Sequence, residues 1–212
     1  STRFPSKVIQ IVNKKSMIFF LLERLKKCKK IDKIVFAIPN IKNKLFKVLK
    51  KKKLNIFLGS EHNVLERYYL ASRKFKAKTI IRITGDCPFA DYNLIDRFIE
   101  IFNKKKVDYL SNNLNLSFPH GLDIEIFTYK ALEKSYFNAE SDYEKEHVTP
   151  YIRKNEYFKK MNIYLKKNFH KIRLTIDFKK DLEVMKNVLK LTNERTDFGL
   201  KEIIDLFNKK KK

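Results

Sequence analysis

Cysteine and long apolar segments are both scarce in this sequence. The 212 residues include only two cysteines, Cys28 and Cys87, which are too few and too different in context for a disulfide framework or a zinc site. The longest apolar run, from Met17 to Leu22, is about a third of the length that a membrane-spanning helix needs. The opening residues also lack the apolar core of a signal peptide. We therefore expect a protein of the reducing cytoplasm that does not enter a membrane.

Several familiar catalytic motifs are absent as well. None of the four histidines stands in a His-x-x-x-His spacing, and the chain has neither a Gly-x-Ser-x-Gly turn nor a Walker loop. These motifs would present metal ligands, a nucleophilic serine or a phosphate cradle. The sequence thus gives no support to a zinc hydrolase, a serine hydrolase or a P-loop enzyme.

Arginine makes a small contribution to a very large positive charge. The formal net charge is +24, yet only nine of the 48 basic residues are arginine. The lysines are spread over several predicted helices, whereas nucleic-acid sites favour arginine forks and aromatic platforms grouped on one surface. Solvated helix faces are the simpler interpretation. We expect no specific nucleic-acid partner, and a nonspecific polyanion-binding module remains the alternative.

The hydrophobic pattern predicts alternating strands and helices in the first part of the chain. Short apolar, β-branched runs typical of buried strands lie at 34–38, 54–58, 79–83 and 107–110, and helical patterns lie at 16–29, 41–52, 63–75 and 92–103. This alternation favours parallel strands joined by helices in a Rossmann-like α/β/α three-layer sandwich.

The pattern changes after about residue 112. The segment from Leu122 to Phe127 alternates apolar with charged residues, which predicts a half-exposed antiparallel strand. Further strands are predicted at 157–165 and 172–176, and helices at 129–138, 142–154, 180–191 and 200–209. We interpret 112–170 as a small antiparallel excursion from the sheet and 171–212 as a return to it, all within one domain spanning 1–212.

Two aspartates follow predicted strands and are candidates for chemistry. Asp86 lies in a Thr-Gly-Asp-Cys-Pro turn after one strand, where Gly85 permits a tight turn and a close backbone approach. Asp177 directly follows the segment 172–176. Open α/β sheets bind ligands at the carboxyl ends of their strands, so neighbouring carboxylates there can share a divalent cation. The alternatives are that Asp86 only stabilises its turn and that Asp177 only caps the next helix.

Two other segments carry weaker signals for an anionic ligand. Arg3 and Lys7 are two cations four residues apart that could neutralise phosphates. Asn63 and Arg67 lie at the start of the helix that follows the second strand, where a helix N-terminus could meet an anion. A capped surface helix is the simpler explanation of this second pair.

Taken in order, these segments resemble a known family. The resemblance is to the cytidylyltransferase-like proteins of spore-coat polysaccharide biosynthesis, the SpsF group, which is related to the synthetases of CMP-Kdo and CMP-neuraminate. The matching segments run in family order: Ser1 to Val8, Gly59 to Tyr69, Arg82 to Pro88, Phe118 to Asp123, Glu146 to Arg153, and Arg173 to Glu183.

The resemblance implies a nucleotidyltransferase of the GT-A-like type. The anomeric hydroxyl of a sugar acid would attack the α-phosphate of CTP, giving a CMP-sugar for surface polysaccharide or glycan synthesis and pyrophosphate. Catalytic roles would fall to Arg3 and Lys7 on the triphosphate and to Asp86, which would bind Mg²⁺ together with Asp177. The residues that would contact nucleotide or sugar are Asn63, Arg67, Gly85, His120, Asp123, His147 and Arg153. A different nucleotidyl- or glycosyltransferase activity on the same fold is the alternative.

Two further expectations follow from the resemblance. In the related synthetases the excursion pairs two subunits, so we expect a homodimer in which 112–170 also serves acceptor binding. The family carries a central strand and a Gln-Ala-Arg-Met-Gly-like loop immediately before the position of Ser1. We therefore expect that this chain lacks the first strand of the fold.

Overall fold

A computed structural model gives the structure of residues 7–12 and 15–209. The helices are α1 (Met17–Leu25), α2 (Lys44–Lys51), α3 (Val64–Lys74), α4 (Tyr92–Lys105), α5 (Tyr129–Asn138), α6 (Asp142–His147), α7 (Pro150–Lys154), α8 (Leu182–Leu191) and α9 (Leu200–Lys209). The strands are β1 (Ile11–Val12), β2 (Lys15–Ser16), β3 (Phe36–Pro39), β4 (Ile56–Gly59), β5 (Thr79–Arg82), β6 (Tyr109–Ser111), β7 (Glu125–Thr128) and β8 (Lys160–Asn162). No helix in the described part of the chain is long and apolar enough to cross a bilayer.

The strands form a mixed set of sheets. β1 and β2 make a short antiparallel hairpin, and β3 pairs with β4 in parallel. The largest sheet has the order β5-β7-β6-β8, in which β7 is antiparallel to both of its neighbours and β8 is parallel to β6. The four strands predicted in the first part of the chain and the helices between them are all present. The mixed α/β class is therefore confirmed.

The position of β7 corrects one prediction from the alternating pattern. The strand is antiparallel as expected, but it is not half exposed, because Glu125, Ile126 and Phe127 are all buried. It lies between β5 and β6 at the centre of the sheet. The alternation arises because a charged side chain, Glu125, points into the protein. The range 112–170 is therefore not simply an excursion, since it supplies β7 and β8 to the sheet.

Two other boundaries also differ from the prediction. The helix expected at 142–154 is divided into α6 and α7 by Val148, whose φ of 72° cannot continue a helix. Within the part of the chain that the structure describes, the segment expected as a strand at 172–176 makes one isolated bridge, between Arg173 and His120. A single bridge is too few backbone pairs for a strand. The segment nevertheless lies between His120 and the Asp86 turn, next to the candidate site.

Within the described residues, β3 and β5 belong to different sheets. The family resemblance implies a further strand before Ser1 at the centre of the sheet. This strand stays a prediction.

One buried cation connects distant parts of the chain. Arg24 on α1 is completely buried, and its guanidinium group donates hydrogen bonds of 3.0–3.1 Å to the backbone carbonyls of Phe89, Ala90, Thr196 and Phe198. Phe198 also lies against the guanidinium plane, 4.2 Å from it. Arg24 thus fixes the C-terminal segment against α1 and the loop that follows the Asp86 turn.

Candidate active site

Three segments meet at the carboxyl end of β5. The turn 84–88 follows β5, and the backbone N–H of Ile176 donates to the carbonyl of Asp86 at 2.9 Å. On its other side, the 172–176 segment exchanges hydrogen bonds with His120, whose N–H donates to Ile172 at 2.8 Å and whose carbonyl accepts from Leu174 at 2.7 Å. The turn that carries Asp86 and the segment that ends before Asp177 therefore lie side by side at this edge.

Gly121 allows the 118–123 segment to approach this closely. Its φ of +102° is one that side-chain-bearing residues rarely adopt, and a Cβ atom would lie 2.8 Å from the backbone nitrogen of Thr175. A side chain at this position would push away the segment that ends in Asp177.

Lys7 connects the two aspartates. Its Nζ donates to Asp86 Oδ2 at 2.7 Å and to Asp177 Oδ1 at 3.0 Å. The other oxygen of Asp177 accepts a hydrogen bond from Arg173. The helix-capping alternative for Asp177 is wrong, because the carboxylate of Asp181 accepts the backbone N–H groups of Asp177 and Phe178 instead.

These contacts shift the pKa values of all three groups. Burial opposes the charged form of Lys7, but its hydrogen bonds and charge interactions with Asp86 and Asp177 are stronger and raise its pKa. Burial likewise opposes ionisation of Asp86 and Asp177, yet the ammonium group of Lys7 holds the pKa of both carboxyl groups below the ordinary value. Two carboxylates and one ammonium are therefore all charged at neutral pH.

Gly85 contributes through close packing. A Cβ atom on it would lie 3.1 Å from Cγ1 of Val8, the residue after Lys7. The close backbone approach predicted for Gly85 is thus directed toward the segment of Lys7. Arg3, the other predicted phosphate ligand, lies outside the described residues.

A cavity of about 480 Å³ opens beside this cluster. Five predicted site residues line it: Asp86, His120, Asp123, Arg153 and Asp177. His120 contacts Arg173 through Nδ1 at 3.2 Å, and Asp123 accepts the N–H of Gly121 at 3.0 Å. Most of the predicted site residues therefore lie close together around this cavity.

Three predicted residues lie elsewhere. Asn63 caps α3, because its side-chain oxygen accepts the N–H of Glu66 at 2.9 Å, and Arg67 donates to the carbonyl of Ser60. His147 is exposed, with its ring 4.6 Å from that of Tyr143. None of the three lines the cavity. For Asn63 and Arg67 the capped-helix alternative describes the contacts seen, and substrate binding by these three residues stays a prediction.

The sequence reasoning missed several polar residues of the cavity wall. They are Arg82, Asn113, Glu125 and His170. A signal existed for two of them, since Arg82 ends an otherwise apolar strand and Glu125 interrupts another.

The chain resembles known proteins over almost its whole length. The pattern of the cytidylyltransferase family matches residues 1–210. The spore coat polysaccharide biosynthesis protein SpsF of Bacillus subtilis is 31% identical, with 99% of this chain and 90% of SpsF covered. A solved structure of a cytidylyltransferase from Leptospira borgpetersenii superposes with a TM-score of 0.91 at 32% identity, covering 99% of this chain and 90% of that one.

A more distant structure shares the fold. CMP:2-keto-3-deoxy-manno-octonic acid synthetase, solved in complex with CTP, superposes with a TM-score of 0.67 at 12% identity, and 91% of this chain and 95% of that one are covered. The expected nucleotidyltransferase fold is confirmed by these two structures.

Proposed function

This chain belongs to the cytidylyltransferase family, and we propose that, as a nucleotidyltransferase, it transfers CMP from CTP to a sugar acid and releases pyrophosphate. The Bacillus relative is named for spore coat polysaccharide biosynthesis, and the more distant synthetase was solved with CTP bound. Both support a role in making an activated sugar for a surface polysaccharide or glycan.

One observation carries the proposal. The ammonium group of Lys7 lies between the carboxylates of Asp86 and Asp177, and both aspartates line a cavity large enough for part of a nucleotide sugar. Such an arrangement offers a positive charge to phosphate oxygens and carboxylates to a metal-bound triphosphate.

The reaction needs positioning and charge neutralisation more than covalent help. The anomeric oxygen forms a bond to the α-phosphorus, the bond from that phosphorus to the bridging oxygen of pyrophosphate breaks, and the hydroxyl proton passes to solvent water. Lys7 neutralises the charge that develops on the phosphate oxygens, while the cavity orients the attacking hydroxyl. Arg173 and the fixed 118–123 segment keep Asp177 and His120 in place.

The two aspartates fit the Mg²⁺ of this proposal. Both offer hard oxygen atoms, and both already contact a single cation, the ammonium of Lys7. No cluster of three or more potential ligands occurs in residues 7–12 and 15–209, which suits Mg²⁺, an ion usually held by one or two carboxylates together with water and substrate phosphates. When bound by Asp86 and Asp177, Mg²⁺ would supply a Lewis acid that polarises the triphosphate.

The assembly and setting are also proposals. A homodimer would use exposed aromatic residues of 112–170, among them Phe137, Tyr143 and Tyr157. Light scattering of the purified chain measures its mass directly, and a monomer at assay concentrations would exclude the dimer. A cytoplasmic setting, where CTP is present, stays a prediction.

Pyrophosphate release tests the activity. The purified protein with CTP, Mg²⁺ and each of Kdo, neuraminate, legionaminate and pseudaminate is expected to release pyrophosphate with at least one of them, and Asp86→Asn is expected to remove the signal. A folded wild-type sample that releases none with any of these acceptors would contradict the proposal.

The nucleotide is tested separately. Thermal unfolding with each of the four ribonucleoside triphosphates is expected to show the largest stabilisation with CTP, because at equal concentrations the ligand that binds more tightly stabilises the folded state more. Stronger stabilisation by another nucleotide would favour a different transferase on this fold. Binding to polyanions is expected to disappear at about 0.2 M salt, as for a nonspecific lysine surface.

A further inference from the structure

A row of polar residues crosses the central sheet beneath the cavity. Arg82 on β5, Glu125 on β7 and Ser111 on β6 stand directly opposite one another in register. Directly opposed residues of antiparallel strands project from the same face. The preceding row on that face, Ile80, Phe127 and Tyr109, is buried in an apolar cluster. The polar row therefore begins where the apolar packing ends.

The carboxylate of Glu125 is buried and accepts three hydrogen bonds from neighbouring side chains. Only 2% of the residue is exposed, and its oxygens accept hydrogen bonds from the guanidinium of Arg82, from Tyr109 Oη at 2.6 Å and from Thr149 Oγ1 at 2.6 Å. A carboxylate with three donors has little capacity left for a ligand. Its effect is to hold the guanidinium of Arg82 in one place.

A strained turn holds one of these donors. Val148 has a φ of 72° and a ψ of −52° and is fully buried, and the N–H of Thr149 donates to the carbonyl of His147 at 2.9 Å. This is the rare form of the three-residue turn, and it is unusual for a β-branched residue. Such strain persists only where the surrounding structure requires it, often at functional sites.

The guanidinium of Arg82 has N–H groups without a protein partner among the described residues. One of its amino groups, Nη1, binds Glu125, whereas Nε is enclosed and has no hydrogen-bond partner in the described part of the chain. Arg82 lines the cavity, and 19% of its side chain is exposed. The amino group Nη2, for which the structure shows no protein partner among residues 7–12 and 15–209, is therefore the nitrogen that can meet a ligand.

A second arginine stands near the same end of the cavity. Arg153 is exposed and lines the cavity, and its charge acts on the hydroxyl of Tyr109, which binds Glu125. With Arg82 and Arg153 positive and Glu125 negative, this group carries a net positive charge. The other group of the cavity, Lys7 with Asp86 and Asp177, carries a net negative charge. The carboxylates of the second group suit a metal-bound triphosphate, whereas the positive first group suits an acceptor carboxylate.

We propose that Arg82 binds the carboxylate of the acceptor sugar, with Arg153 beside it and Glu125 as the positioning residue. The inference rests on the proposed function and adds the group by which the acceptor is recognised. Guanidinium and carboxylate form short, charge-assisted hydrogen bonds in a fixed geometry. Binding the carboxylate there leaves the anomeric hydroxyl free to face the nucleotide at Asp86 and Asp177.

Substitution of Arg82 tests the assignment, but Arg82→Gln alone leaves the buried Glu125 without its cation. The double variant Arg82→Gln/Glu125→Gln restores neutrality and keeps a hydrogen-bonding pair, so both are compared. Arg97→Gln is the matched control, because Arg97 is an exposed arginine of α4 outside the cavity. Thermal unfolding is measured for each variant so that activity is compared only between folded samples.

The decisive readout is the preference for an acceptor carboxylate. The wild type is assayed with an active sugar acid and with the amide of the same acid. In the Arg82 variants the ratio of kcat/KM for acid over amide is expected to fall at least about tenfold, with the KM for the acid raised and the KM for CTP unchanged. Arg97→Gln is expected to keep the wild-type ratio.

Each other outcome is also informative. A raised KM for CTP with an unchanged acid-to-amide ratio would assign Arg82 to the triphosphate and overturn the inference. Lowered thermal stability with an unchanged ratio would show a purely structural role and overturn it as well. No turnover of any sugar acid by the wild type would overturn the proposed function itself, and the inference with it. If neither glutamine variant folds, Arg82→Lys is tested instead, because it keeps the positive charge. An unchanged acid-to-amide ratio of kcat/KM in Arg82→Lys, together with an unchanged KM for the acid, would contradict the need for the guanidinium.

Discussion

The ammonium group of Lys7 lies 2.7 Å from the carboxylate of Asp86, although the two residues are 79 positions apart in the chain. The same ammonium reaches Asp177 at 3.0 Å. A lysine held by two carboxylates is charged, oriented and close to the place where a triphosphate would arrive. Most of the chemistry that we propose for the cavity depends on this contact.

Replacement of Lys7 by methionine is expected to reduce the rate sharply. Loss of one preoriented charge that stabilises a transition state typically costs about 10² to 10³ in kcat. The measurement is pyrophosphate release from CTP with a saturating acceptor. Lys15→Met is the control, because the ammonium group of Lys15 forms an exposed ion pair with Glu23. Equal losses in the two variants would contradict a special role for Lys7.

Loss of Asp177 is expected to raise the concentration of Mg²⁺ that the reaction needs. Asp177→Asn removes one proposed ligand of Mg²⁺, so the concentration for half-maximal activity is expected to rise about tenfold or more, whereas chelation by EDTA abolishes activity. The measurement is a Mg²⁺ titration of pyrophosphate release. Asp205→Asn, on the exposed face of α9, is the control. An Asp177→Asn titration that superposes on the wild-type curve would remove Asp177 from the metal site.

Arg24 is expected to be important for stability and not for chemistry. Burial lowers its pKa to about 10, yet the residue still binds four backbone carbonyls. Arg24→Met leaves those carbonyls unsatisfied, and we expect the free energy of unfolding to fall by about 3–5 kcal/mol. Arg195→Met breaks exposed ion pairs and one hydrogen bond to the carbonyl of Thr192, and it is expected to cost about 1 kcal/mol. Urea titration measures both variants. Similar losses in both variants would show that the buried contacts carry no special weight.

Glu144 is expected to make stability depend on pH in acid. Its ion pair with Lys154 and its hydrogen bonds with Ser141 and Glu140 lower its pKa from 4.5 to about 2. A carboxyl group whose pKa is lower in the folded state stabilises the fold above its unfolded pKa, and this contribution is lost as the pH falls from about 4.5 toward about 2. Glu144→Gln is therefore expected to be less stable than the wild type at neutral pH, and the difference should shrink across that range. A difference that stays constant in urea titrations across these pH values would contradict the shifted pKa.

Sequence reasoning predicted the elements better than their arrangement. The apolar runs that became β3, β4 and β5 are recognisable because a buried strand needs few polar side chains. The location of β7 was not predictable in the same way, because a buried charge such as Glu125 looks like an exposed one until its partner is known. Its partner, Arg82, lies 43 positions away, and local pattern carries no information on such pairing.

In the candidate site too, single residues could be predicted from the sequence but their contacts could not. Asp86 and Asp177 were recognisable because each follows an apolar segment at the point where ligands bind open sheets. The contact between Asp86 and Lys7, the role of Gly121 and the commitment of Asn63 to the cap of α3 depend on the three-dimensional path of the backbone. Arg82 was overlooked as a site residue because a single arginine at the end of a strand is ambiguous without the cavity beside it.

The most direct measurement is the identification of the products formed from CTP by the intact protein. With Mg²⁺ and an active sugar acid, we expect mass spectrometry to show a CMP-sugar and pyrophosphate in equal amounts, and neither product with Asp86→Asn. Pyrophosphate without a sugar nucleotide, or a sugar nucleotide formed preferentially from another triphosphate, would contradict CMP transfer at the Lys7–Asp86–Asp177 cluster.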